Sequence, residues 1–118
     1  MKPKIYVASP YSKGDKEENV KRSIMACEML WKNGFIPYCP LLSHFWDLYA
    51  PHSWEEWMDY DLEWLRTCDG VYWLLGESKG AEVEVDAADR AWIPVWVEGD
   101  VDAIEDMVDY FKTYEECQ

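Results

Sequence analysis

Four short β-rich runs alternate with helical stretches along the chain, and this alternation constrains the fold more than any other feature. The runs are Lys4-Ile5-Tyr6-Val7-Ala8-Ser9, Phe35-Ile36-Pro37-Tyr38-Cys39, Val71-Tyr72-Trp73-Leu74-Leu75 and Ile93-Pro94-Val95-Trp96-Val97. The first helical stretch opens on Asp15 as a cap, with Glu17 and Glu18 in its first turn, and stops at Asn33-Gly34. Val20, Ile24, Cys27 and Trp31 fall at helical spacing, with Ala26 and Leu30 widening the stripe. The second opens on Ser53 with Glu56 three residues on, a capping box, and sets Trp54, Trp57, Met58, Leu62 and Leu65 inward. A third runs from about Ala81 to Ala91, and a fourth from Asp102 with Ile104, Met107, Val108 and Phe111 on one side. Strands separated by helical crossovers pair in parallel and carry helices on both faces. The run at 71–75 is apolar throughout, as a strand covered on both faces would be. Pro37 cannot donate to a ladder and places the second strand at an edge. The expectation is a small three-layer α/β/α sandwich on a parallel four-stranded sheet of order 2-1-3-4, occupying residues 1–118 as one domain. The tryptophans follow helix and strand periods and read mostly as core.

Ligands of such sheets bind beyond the carboxyl ends of the strands. Three loops are thereby nominated: 9–15, 40–47 and 76–80. The first could cradle an anion with Ser9, Ser12 and Lys13 as donors, or be a polar turn with a cap; it is neither G-x-x-x-x-G-K-[ST] nor G-x-G-x-x-G. The connection 40–53 is long enough to be functional. After the turn at Gly76–Gly80 come Glu82 and Glu84, where a helix N-terminus favours a charged carboxylate, as a nucleophile or as ordinary dipole matching.

Charge narrows the ligand. The formal net charge of -13 repels phosphate backbones and anionic membranes, so no nucleic-acid polymer and no membrane is expected as partner. Lys2, Lys4, Lys13, Lys16, Lys21, Arg22 and Lys32 nevertheless make the first third the basic end, where a small anionic ligand would sit. His44 and His52 lack H-E-x-x-H or H-x-H spacing, and no two of Cys27, Cys39, Cys68 and Cys117 form C-x-x-C, so neither a metal nor a redox dithiol is signalled. Cys27 and Cys68 read as buried thiols. No leader-like or spanning apolar segment is seen, and a cytoplasmic protein is expected.

Three stretches together resemble the nucleoside 2-deoxyribosyltransferase family, including its nucleotide N-glycosidase branch. Ile5-Tyr6-Val7-Ala8-Ser9-Pro10-Tyr11 resembles the family's opening strand and loop. Asp61-Leu62-Glu63-Trp64-Leu65-Arg66-Thr67-Cys68-Asp69 resembles its D-L-x-x-[LI]-x-x-x-D helix end. Ser78-x-Gly80-x-x-x-Glu84-x-x-x-Ala88 with Ile93-Pro94-Val95 resembles its glycine turn, glutamate helix and last core strand. The resemblance implies a flavodoxin/Rossmann-like fold and cleavage or transfer of an N-glycosidic bond of a nucleoside or nucleoside 5′-monophosphate, without a cofactor. It implies Glu84 as the nucleophile at C1′, preferred over Glu82 because Ala88 and the Ile-Pro-Val strand then fall at the family's distances. Asp61 would act as the acid toward the departing base, and Tyr6 would project toward both carboxylates. Ser9, Tyr11, Ser12, Lys13, Gly14, His44, Ser78 and Gly80 would line the substrate, with Ser78 at a phosphate-binding position. The chain departs from the family pattern at Asp86, where a small residue is usual. Members often complete their sites from a neighbouring chain, so a homo-oligomer is expected. A non-catalytic nucleotide-binding module of the same fold, or an interaction protein docking through its aromatic loop, are the alternatives.

Overall fold

The computed structural model describes residues 2–10 and 15–116. Strands β1 (Lys4–Ala8), β2 (Ile36–Tyr38), β3 (Gly70–Trp73) and β4 (Val95–Val97) form one sheet of order β2-β1-β3-β4, and every pairing is parallel. Helix α1 (Lys16–Lys32) crosses from β1 to β2, and α3 (Trp54–Leu65) from β2 to β3. Helix α4 (Lys79–Arg90) links β3 to β4, and α5 (Ala103–Glu116) ends the described chain. The expected sandwich and strand order are observed. Pro37 sits in the edge strand, in register with Ile5.

Alternation along β1 divides the interior in two. Ile5 and Val7 join Ala26 and Leu30 of α1 and Met107 and Phe111 of α5. Tyr6 and Ala8 face the other way, toward Leu65 of α3 and Ala81 and Ala88 of α4. Side chains such as Leu30, Leu65 and Met107 are wholly buried, each contributing about 1.5–3 kcal/mol of transfer free energy. At Gly70 a side chain would stand 2.8 Å from the Trp96 ring, so the start of β3 admits nothing larger.

The capping reading holds at both predicted sites. Asp15 accepts from the amides of Glu17 and Glu18, and Ser53 and Glu56 form the reciprocal capping box. Other details differ. The connection after β2 is structured: a 3-10 turn (Pro40–Leu42) runs into a short helix, α2 (Ser43–Tyr49), and the Ser43 hydroxyl donates to the Pro40 carbonyl. Helix α4 begins at Lys79, two residues before the expected start. The buried face of α1 is Asn19, Ser23, Ala26 and Leu30, one position away from the apolar stripe, while Ile24 and Trp31 are exposed. Cys27 is only half-buried. No tryptophan is fully buried: Trp57, Trp73 and Trp96 are half-buried, and Trp31, Trp46, Trp54, Trp64 and Trp92 are exposed. Eight large rings exceed what two thin layers of so small a sheet can enclose.

Candidate active site

The layer containing Tyr6 also holds the site. Its inward direction on β1 brings its hydroxyl to Glu84 of α4, to which it donates a hydrogen bond. Glu84 is 4% exposed and Asp61 of α3 is 8% exposed, and both line one cavity of about 300 Å³. That volume is at the lower end of the range for small-molecule sites. Glu82, two residues earlier, is exposed and does not line it. The helical period explains the difference: Glu84 shares a face with Ala81 and Ala88, and Glu82 does not.

Burial governs the charge on this pair. It pushes the Asp61 carboxyl up to about 7. Glu84 is pushed up to about 8, by burial first, against the lowering effect of the Tyr6 hydrogen bond and with the Asp61 charge adding to the rise. Tyr6 is itself raised, by burial and then by the two carboxylates. The sequence reading placed Glu84 in the first helical turn, where the dipole would favour its charge. Helix α4 starts at Lys79, so Glu84 lies in the second turn, and desolvation outweighs the dipole, which falls off beyond the first. Among the described residues Oδ1 of Asp61 is buried without a hydrogen-bond partner.

The remaining lining comes from the three nominated loops and from residues the sequence did not nominate as ligand contacts. Ser9 lines the cavity and accepts a hydrogen bond from Ser23 at 2.8 Å. Ser78 and Gly80 line it at the start of α4, where Ser78 caps the helix by accepting from the Ala81 amide. A side chain on Gly80 would come 3.2 Å from Met58 and narrow the space. Tyr11, Ser12, Lys13 and Gly14 lie outside the described residues. His44 lies on α2, and its side chain is also outside them; its neighbours Ser43 and Asp47 line the cavity. Trp54, Trp57, Met58 and Lys79 complete the wall. Trp57 is held by its indole N–H, which donates to Asp47 at 2.6 Å, and by the Trp46 ring at 5.2 Å. The Lys79 ammonium lies 5.1 Å above the Trp54 ring. The length and aromatic content of the 40–53 connection were the available signal for this wall. Among the described residues no group of three His, Cys, Asp or Glu side chains is placed to hold a metal ion.

A layer of rings backs the carboxyls. Tyr38 at the end of β2 lies 5.6 Å from Tyr6 and stacks on Trp64 at 5.4 Å. Tyr38 is pushed up by burial and then by the Asp61 charge. Behind the 76–80 loop, Arg22 of α1 donates to the Leu75 carbonyl at 3.0 Å and pairs with Glu98, which accepts from the Leu75 amide.

Residues 3–98 match the family model described as Domain of unknown function (DUF7768). The chain belongs to this family. No curated protein matches it. Among solved structures, this DUF7768 chain is similar to the 2-deoxyribosyltransferase of the psychrotolerant bacterium Bacillus psychrosaccharolyticus, with a TM-score of 0.60 and 24% identity. The match covers 80% of this chain and 70% of that one. At this identity the likeness shows a shared fold. Among the described residues no helix is long and apolar enough to cross a membrane.

Proposed function

We propose that this DUF7768 chain cleaves or transfers the N-glycosidic bond of a nucleoside or nucleoside 5′-monophosphate through a carboxylate nucleophile. The observation that carries the reading is the pairing of two buried carboxyls, Glu84 and Asp61, on one small-molecule cavity, with a tyrosine hydroxyl bonded to the first. Glycosidic cleavage passes through an oxocarbenium-like state, which a carboxylate stabilises or traps. A Glu84 oxygen bonds C1′ as the C1′–N bond breaks, and its pair of electrons moves to the base nitrogen. Asp61 gives a proton to a base that leaves as an anion. Water or a second base then attacks C1′, releasing Glu84 with hydrolysis or transfer. Tyr6 steadies the carboxylate as a donor and orients it. The role proposed for Ser78, at the cap of α4, is to bind the 5′ end of the substrate, a role shared with Ser9, Gly80, Tyr11, Ser12, Lys13 and Gly14. The role proposed for His44 is contact with the base. Residues 1–118 act as one domain, in a homo-oligomer and in a cytoplasmic, reducing setting.

The test is incubation with a panel of deoxynucleosides and their monophosphates, with free base as the readout. Glu84→Gln should lower base release by at least about a thousandfold, equivalent to roughly 4 kcal/mol of transition-state stabilisation, and Glu82→Gln far less. No base released from any member, or equal loss in the two variants, overturns the reading.

A further inference from the structure

We infer that the cavity selects an N-glycoside whose base carries a fixed positive charge, such as a pyridinium or an N-alkylated purinium, over a neutral base of the same shape. The first support is the acidity of the described lining: the carboxyls of Asp47, Asp61 and Glu84 stand against the single ammonium of Lys79, and a cation that enters favours the ionised form of the two buried ones. The second is Asp61 Oδ1, buried without a donor among the described residues on a side chain 8% exposed. A buried carboxylate oxygen in that condition gains most from a proton or from a cation brought by the ligand. The third is the aromatic part of the same lining. Trp54 and Trp57 both line the cavity, and the Trp54 face already receives an ammonium, that of Lys79, at 5.1 Å. Ring faces attract cations through their quadrupole, and most strongly where water is displaced. Trp57 is fixed by Asp47 and Trp46, so its ring is a preformed wall. A flat organic cation is a species that meets both the acids and the rings of this lining.

The chemistry follows from the charge. In a cationic base the C1′–N bond breaks with its electron pair passing to the ring nitrogen, which cancels the positive charge, and the base departs neutral. Glu84 forms the ester to C1′, and Asp61 gives up no proton in this step. Water then attacks C1′, its proton passing to the Asp61 carboxylate, and Glu84 is released. The cleavage part of this inference rests on the proposed glycosidic reading; the binding part does not.

The experiment measures affinity by calorimetry for two matched pairs: nicotinamide riboside with its neutral 1,4-dihydro form, and 7-methylguanosine with guanosine. In each pair the cation should bind about tenfold more tightly or better, the scale of one desolvated cation–ring contact. Asp61→Asn should bring the two members of a pair close to equal. Lys79→Met, which leaves the Trp54 face vacant and removes the competing charge, should tighten the cations and widen the gap between the cationic and the neutral member of each pair. Equal affinities within both pairs, preference for the neutral members, or weaker cation binding in Lys79→Met overturns the inference. Base release assayed on the same four compounds separates the two readings. Charge preference without release retains this inference and defeats the glycosidic one. Release from neutral nucleosides without charge preference does the reverse.

Discussion

Replacing Glu84 by glutamine should make the protein more stable in alkaline solution, at the same residue where it removes the proposed activity. Glu84 is 4% exposed, and the Tyr6 hydroxyl is bonded to it. Burial lifts its carboxyl from the ordinary 4.5 to about 8. The folded state therefore holds this proton more tightly than the unfolded chain. The stability this confers is fully present below the unfolded value and is lost as pH rises from about 4.5 through about 8. Each pH unit of that gap corresponds to about 1.4 kcal/mol, so the loss by about pH 9 is on the order of 5 kcal/mol. Asp61, lifted from 3.8 to about 7, acts in the same direction over a lower window. A glutamine has no proton to lose in this range, and its carbonyl still accepts from Tyr6.

The assay is thermal unfolding followed by far-ultraviolet circular dichroism, for parent and Glu84→Gln, between about pH 5 and about pH 9. Comparing the change across pH, rather than either midpoint, cancels whatever the amide costs in packing. The parent should lose midpoint relative to the variant as pH rises, by on the order of 15 °C for a domain of this size. Parallel curves would refute the reasoning, because they would mean that Glu84 is solvated in the folded state and that the cavity is not a low-dielectric site.

Four further outcomes are expected. Burial raises both Asp61 and Glu84, and the proposed step needs one of the pair protonated and the other ionised, so base release should follow a bell-shaped pH profile displaced above the ordinary carboxylate range; a rate flat between about pH 5 and about pH 9 counts against paired carboxyls. Arg22→Gln removes the donor to the Leu75 carbonyl and the partner of Glu98, and amide exchange at Leu75 should quicken about tenfold, the scale of one lost hydrogen bond; unchanged exchange would show that this clamp does not hold the 76–80 loop. Phe45, Leu48 and Tyr49 of α2 are 61%, 63% and 90% exposed beside Trp46, and light scattering at high micromolar concentration should give a dimer or larger, where a monomer would refute assembly through this helix. A 5′-monophosphate should bind more tightly than its nucleoside and lose that advantage in Ser78→Ala; equal binding of the two removes the phosphate role from Ser78.

The strands were legible because each is a continuous run bounded by turn residues, and a parallel sheet leaves few arrangements for four of them. Helix faces were less so. The stripe read on α1 counted only apolar positions, whereas the face that packs inward includes Asn19 and Ser23, and Ser23 donates to Ser9 at the edge of the cavity. A polar residue buried for a specific hydrogen bond is invisible to hydropathy. Helix α2 was missed for another reason: seven residues behind a proline-containing turn provide too short a period to register.

The charge state of the site lay further from reach, and the reason shows what a sequence leaves open. The chain has 24 acids, and among the described residues only Asp61 and Glu84 are buried. Composition does not distinguish them from Asp59, Glu63 or Glu82, which are exposed two positions away; helical spacing to Ala81 and Ala88 separates Glu84 from Glu82 but says nothing of its depth. Depth beneath the wall built from α2 and α3 is what separates them, and that wall comes from the segment least legible in the sequence. The dipole argument for Glu84 used only local helix geometry and gave the opposite sign to the one burial imposes. A buried pair that holds protons near neutrality lowers stability as the pH rises, and a stability optimum alone would not place it there. On the proposed reading a ligand completes the charge of this site, which is why the charge of the base is the quantity to vary first.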